Sequence, residues 1–210
     1  INVSSSSPAN LEPPPEPNPG EVLEFEEPFD QNLNGWPVES TQDEYGATDA
    51  VIEDGVYRLT VFSATADGNT LWVEPEIPEI TNFVYAVEAR PLGPAEDFLY
   101  GLILRSTPEG DAIIFEIAAD GVVVVQNFPD GNWEDLTDFT ETGALNPLGE
   151  VNELMVVADG SEMVFLVNGE PVTSVEGIFV QPGRIGLIAE VFEEGGEFTV
   201  EFDNLQVAEP

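Results

Sequence analysis

From residue 22 onward, apolar and polar residues alternate with a period of two in one short run after another. Tyr57, Leu59 and Val61 fall on one side of VYRLTVF, with Arg58 and Thr60 on the other. Phe83, Tyr85 and Val87 repeat this in NFVYAVEAR, Ile113, Phe115 and Ile117 in AIIFEIA, and Met163, Phe165 and Val167 in SEMVFLVNG. In RIGLIAEV one face takes Ile185, Leu187, Ala189 and Val191. Successive side chains of a strand leave opposite sides of its pleat, so this pattern predicts strands with one face on a core and the other toward solvent. The run 122–125 is apolar on both faces, which predicts a central buried strand. Asp54-Gly55, Asp67-Gly68, Asp120-Gly121, Asp130-Gly131, Asn168-Gly169 and Gly195-Gly196 punctuate the runs. Such dipeptides tolerate the positive φ of tight turns, and Asp120-Gly121 and Asn168-Gly169 predict hairpins. No stretch carries a helical period with caps. About a dozen short strands with frequent turns predict an all-β sandwich with almost no helix.

The last strand breaks its own pattern. Phe198, Val200 and Phe202 face one way, but the next apolar residues are Leu205 and Val207. The slip at Asp203-Asn204 predicts a bulge, and a bulge re-aims the side chains beside it, here Asp203.

Residues 1–20 have no such alternation. Four consecutive Ser and six Pro leave little to bury, so residues 1–21 form an extended arm of polyproline II character before a domain at 22–210. Fully extended, the first 20 residues would reach about 60 Å. Asn2-Val3-Ser4 fits the glycosylation triplet. The start at Ile1 predicts a mature product whose leader has been removed.

Composition narrows the chemistry. There are 42 Asp and Glu against four Arg, with no Lys, His or Cys, for a formal charge of −38. Ser-His-Asp and Cys-His pairs, Lys Schiff bases and Cys/His metal sites are all excluded. The charge repels phosphate backbones and anionic headgroups, so nucleic acid and direct membrane binding are not expected. An apolar content of 42% supports a real core, and the acids are scattered rather than blocked. They read as a solvated coat on outward faces and turns.

The order of segments resembles a known superfamily. FDQNLNGWPV (29–38) is followed by DGVYRLTV, NFVYAVEAR, YGLILRS, AIIFEIAADGVVVV, NWEDL and NELMVVADGSEMVFLVNGEPV, then GRIGLIAEV and FTVEFDNLQV. Over residues 25–207 this is similar to the concanavalin A-like lectin/glucanase jelly rolls, in particular the laminin-G-like and 3-keto-disaccharide hydrolase-type modules. The resemblance implies a jelly-roll sandwich of two curved antiparallel sheets of about six or seven strands. The fold hosts lectins, glycosidases and inert spacers alike, so function rests on residues.

Glucanase members carry their carboxylates on one strand as Glu-x-Asp-x-x-Glu. That motif is absent, and neither Phe115-Glu116-Ile117 nor Trp133-Glu134-Asp135 repeats a carboxylate on one face, so the expectation is that the chain is not an enzyme. The resemblance implies a structural Ca2+ between the first and last strands. Asp203 matches the ligand position, with Asp30 and the carbonyls of 32–35 as companions, and Ca2+ needs only such oxygens. For glycan binding, Trp133 in a polar loop leads, with Trp72 opposite Leu71 and Val73, and Tyr100, while Trp36 reads as a packing anchor. For assembly, Ile1 and Val3, or Val22, Leu23 and Phe25, offer strands that add to a sheet edge of another copy. The expected function is a non-enzymatic extracellular or cell-surface structural subunit that assembles with copies of itself through its arm, as a filament or surface layer. The alternative is a secreted carbohydrate-binding module with polysaccharide as partner.

Overall fold

A computed structural model describes residues 4–5, 23–118, 120–208 and 210. In chain order its strands are β1 (Ser4–Ser5), β2 (Leu23–Glu27), β3 (Glu39–Gln42), β4 (Gly46–Glu53), β5 (Val56–Ser63) and β6 (Asn69–Val73). Then come β7 (Phe83–Leu92), β8 (Phe98–Ser106), β9 (Ile113–Ala118), β10 (Val122–Asn127), β11 (Glu134–Asp135) and β12 (Thr140–Glu141). The last five are β13 (Asn152–Asp159), β14 (Glu162–Val167), β15 (Glu170–Glu176), β16 (Arg184–Val191) and β17 (Glu197–Ala208). Among the described residues there is no α-helix, and a short 3-10 turn at Pro129–Gly131 precedes β11.

The strands form two antiparallel sheets packed as a sandwich. The larger runs β1-β15-β14-β13-β7-β17-β5-β4-β3, with β2 also on β17; the smaller runs β11-β10-β9-β8-β16-β6, with β12 also on β10. The expected six or seven strands hold for the smaller sheet, while the larger has ten. The extra members include edge pieces such as β3, exposed along its whole length, which carry no apolar alternation to reveal them.

Alternation sets which face is buried. Tyr57, Leu59 and Val61 point inward, as do Phe83, Tyr85 and Val87, and Ile185, Leu187 and Ala189. Rings lock the layers: Phe98 stacks on Phe198 at 3.9 Å, and Phe115 meets Phe165 at 4.9 Å. The Tyr85 hydroxyl crosses between sheets to donate to the Gly186 carbonyl at 3.1 Å. Val123, Val124 and Val125 are all buried, yet β10 is not central. The chain after it doubles back along its free side as β11 and β12, and so covers a strand that lies near the sheet edge.

The predicted bulge is present. Between Asp203 and Gln206 the pairing of β17 with β7 shifts, and Asn204 takes a positive φ of 51°. The shift divides one edge of β17, with β5 pairing to 197–202 and β2 to 205–208. Leu23 and Phe25, expected to serve a neighbouring copy, are thus used within the chain, opposite Ala208 and Val207. Ile1, Val3 and Val22 lie outside the described residues.

Two polar side chains hold loops that alternation alone would leave loose. Asn168 and Gly169, at φ 51° and 77°, form the predicted hairpin between β14 and β15. The Asn168 amide donates to Ala144 O and Asn152 Oδ1 and accepts from Glu153 N, all within 2.9 Å. Asn168→Ala loses these bonds and the residue's tolerance of positive φ, so thermal unfolding should show a loss of about 2 kcal/mol. The second is Arg105, fully buried and, among the described residues, without an acidic ion-pair partner. Its guanidinium donates to the backbone carbonyls of Thr81, Phe179 and Gly160 at 2.7–3.0 Å, binding three connections to the end of β8.

Candidate functional site on the open face of the smaller sheet

The inward side chains of β8, β9 and β16 leave Leu99, Gly101 and Ile103, Ile114, Glu116 and Ala118, and Gly186, Ile188 and Glu190 for the opposite face. Register then fixes neighbours. Glu116 is paired with Gly101, Gly101 with Ile188, and Leu99 with Glu190. Two glutamates from strands that do not touch thus lie diagonally across β8, with a glycine between them. Gly101 is required there, since a Cβ would lie 1.8 Å from the Phe115 carbonyl oxygen.

Both are buried, Glu116 at 0% and Glu190 at 4% exposure. Thr70 Oγ1 donates to Glu190 Oε1 at 2.6 Å. Among the described residues neither carboxyl oxygen of Glu116 has a partner within ordinary hydrogen-bond geometry, and Glu190 is the charged group that acts on it. Burial pushes Glu116 well above the usual glutamate range, and the charge of Glu190 and the hydrogen bond to it push the same way. Burial also raises Glu190, opposed by the bonds from Thr70 and Glu116. Two neighbouring buried carboxyls resist being charged together, which favours one shared proton, and the Thr70 bond to Glu190 favours its residence on Glu116. The arrangement keeps one carboxylate and one carboxylic acid side by side at neutral pH.

Glu190 opens into a cavity of about 480 Å³. Leu99, Ala118 and Val122 form its floor with Glu190, and Asp97, Asp120, Gln126, Trp133, Phe139 and Phe192 its walls. Trp133, Phe139 and Phe192 are 43%, 54% and 38% exposed, large values for such rings. Trp133 leans on Phe128 at 4.7 Å, and Phe128 on Trp72 at 6.0 Å. Trp72 is half-buried on the same open face, over Ile103, Ala112, Ile114 and Ile188, and its Nε1 donates to Glu74 at 2.8 Å. Tyr100 is elsewhere: at 2% exposure it faces the core beside Phe98 and Phe198, away from this cavity. Trp36 is the expected anchor, packed on Phe29 and Tyr57.

Asp203 and Asp30 lie at the other sheet. Burial raises the Asp203 carboxyl, its bond from Asn204 N opposes this, and the nearby charges of Glu88 and Asp30 add to the rise. Among the described residues there is no group of three or more Asp, Glu, His or Cys side chains placed to hold a metal ion, a kind of site different from the expected pair of Asp203 and Asp30 with backbone carbonyls.

Sequence reasoning passed over Glu116 and Glu190. The available signal was an acid in a strand apolar on both faces: Ile114 beside Glu116, and Ile188 beside Glu190. An acid in such a place is either paired or functional.

A model of the 3-keto-alpha-glucoside-1,2-lyase-like domain matches residues 24–208. No curated protein matches the sequence. Among solved structures, a carbohydrate-binding module, CBM66, from Bacillus subtilis is similar with a TM-score of 0.59 and 14% identity, covering 84% of this chain and 97% of its own. A β-glucanase from Bacillus licheniformis aligns with a TM-score of 0.66 and 12% identity over 89% of this chain and 98% of that one. A β-1,3-1,4-glucanase (lichenase) from a mouse hindgut metagenome gives 0.67 and 14%, over 89% and 98%. At such identities the structures speak for the concanavalin A-like fold. The match to a lyase-like family overturns the expectation of a non-enzymatic protein. Missing carboxylates on one strand do not exclude a pair assembled from two, as Glu116 and Glu190 are.

Proposed function

The chain belongs to the 3-keto-alpha-glucoside-1,2-lyase-like domain family, and from that premise we propose that it binds a carbohydrate in the cavity on the open face of the smaller sheet. The observation that carries this is the grouping of three exposed rings with Asp97, Asp120, Gln126 and Glu190 around one cavity. Flat apolar rings stack on sugar faces while polar groups orient hydroxyls. The CBM66 module and the glucanases share the fold. The reading implies an extracellular setting, as polymers of sugar too large to enter cells require. Calorimetric titration with glucan oligosaccharides tests it. Trp133→Ala should weaken binding roughly tenfold, about 1.4 kcal/mol for one lost stacking surface. Unchanged affinity in that variant would remove the ring from the site.

The Glu116–Glu190 pair supports a second step at the same place. A ketone at C3 of a glucoside acidifies the hydrogen on C2. A 1,2-elimination then takes that proton, forms the C1=C2 bond and breaks the bond from C1 to the leaving oxygen. Glu190, facing the cavity, is positioned as the base that takes the C2 proton, and the departing oxygen, which leaves on the opposite face of an α-glucoside, takes its proton from solvent water. Glu116 stands behind it as a positioning residue whose proton holds Glu190 basic near neutrality. In Glu190→Gln, elimination from a 3-keto-glucoside should stop while sugar binding persists. Undiminished elimination in that variant would dismiss this step.

A further inference from the structure

We infer that this cavity selects glycosides carrying an ammonium group, a ligand class that rests on the carbohydrate reading above and sharpens it. Every ionisable side chain lining the cavity is an acid: Asp97, Asp120 and Glu190. Gln126, the remaining polar group, is held by its own bond to Asp135 at 2.8 Å. None of the four arginines lines the cavity. Arg58 and Arg90 share Glu201, and Arg105 is spent on backbone carbonyls. Arg184 pairs with Glu74 six residues along β16 from Glu190, about 20 Å away. With no Lys or His in the chain, nothing inside the protein can neutralise these carboxylates.

Ligand chemistry follows from that imbalance. A uronate or sulfated sugar would bring a like charge into the cavity. A neutral sugar offers these carboxylates hydroxyl hydrogen bonds but no counter-charge. An ammonium group satisfies them, and it also suits Trp133, Phe139 and Phe192, because a cation is attracted to the face of an aromatic ring. A second observation points the same way. Glu190 is almost wholly buried at the cavity, and the groups that hydrogen-bond to it, Thr70 and Glu116, bring it no counter-charge. The negative field of the whole molecule would in addition draw a polycationic glycan toward it.

The test compares three β-1,4-linked tetrasaccharides, of glucose, N-acetylglucosamine and glucosamine, by calorimetric titration of the full chain at about pH 6 and low salt. The glucosamine tetramer should bind at least roughly tenfold more tightly than the other two. In an Asp97→Asn, Asp120→Asn double variant, both positions being exposed, the ratio of glucosamine-tetramer to glucose-tetramer affinity should fall severalfold. Equal binding of the glucose and glucosamine tetramers would overturn the ammonium preference and leave the carbohydrate reading standing. A preference undiminished in the double variant would trace it to the general surface charge and overturn its assignment to the cavity. Failure of all three sugars to bind would count against both readings.

Discussion

Arg105→Ala is expected to cost the domain about 3–6 kcal/mol, enough to leave it marginal or unfolded at room temperature. The guanidinium satisfies the carbonyls of Thr81, Phe179 and Gly160. Each carbonyl left buried without a donor costs about 1–3 kcal/mol. The carbonyls come from three separate connections, so all three lose their common tether. Burial lowers the pKa of Arg105, yet a guanidinium stays protonated wherever the protein is folded, so the deficit should be the same at pH 6 and pH 8. Arg105→Lys should recover little, because one ammonium cannot span three acceptors arranged for a planar fork. By contrast Arg58→Ala, at a partly exposed ion pair, should cost under about 1 kcal/mol. Urea midpoints of the three variants read this directly, and a midpoint for Arg105→Ala near that of Arg58→Ala would contradict the clamp.

The second large effect is a change in how stability depends on pH. Glu116 and Glu190 titrate above the usual glutamate range when folded. Between that usual value and the raised one, the native state binds more protons than the unfolded chain. Their contribution is therefore complete at low pH and declines as pH rises, by about 1.4 kcal/mol per unit for each proton concerned. Glu116→Gln replaces the buried acid with a neutral group of the same shape that can still donate to Glu190. The variant should match the wild type near pH 4 and become progressively more stable than it as the pH rises to 7. The pH profile of the difference matters here, since repulsion among the many surface acids is common to both proteins. Parallel profiles from pH 4 to pH 8 would show that Glu116 carries no shifted proton.

Strand positions were legible because each depends on a local pattern. Tyr57-Leu59-Val61 and Ile185-Leu187-Ala189 declare their buried faces without reference to any other strand, and the slip after Phe202 declares the bulge. Tyr100 shows the same rule neglected: Phe98, Tyr100 and Leu102 alternate, which places that ring in the core rather than at a ligand. The candidate site depends on something no single strand carries. Glu116 and Glu190 are 74 positions apart, and only the register of β9, β8 and β16 brings them together over Gly101. Trp133 was legible as exposed from its polar neighbours. That it shares a wall with Phe139 and Phe192 follows from the return of the chain along β10, which is tertiary.

The divided edge of β17 has a mechanical consequence. Leu23 lies opposite Ala208, so tension applied between those two points would act on β2 first. Because β2 and β17 are antiparallel and loaded from the same end, their hydrogen bonds would break in succession rather than all together. As β2 peels away it withdraws Glu27, whose carboxylate accepts from the backbone of Phe29, Leu33 and Asn34. The loop carrying Phe29 and Trp36 would loosen next. The β9–β8–β16 register beneath Glu116 and Glu190 lies in the other sheet, outside that line of force, and would be among the last elements to feel the pull.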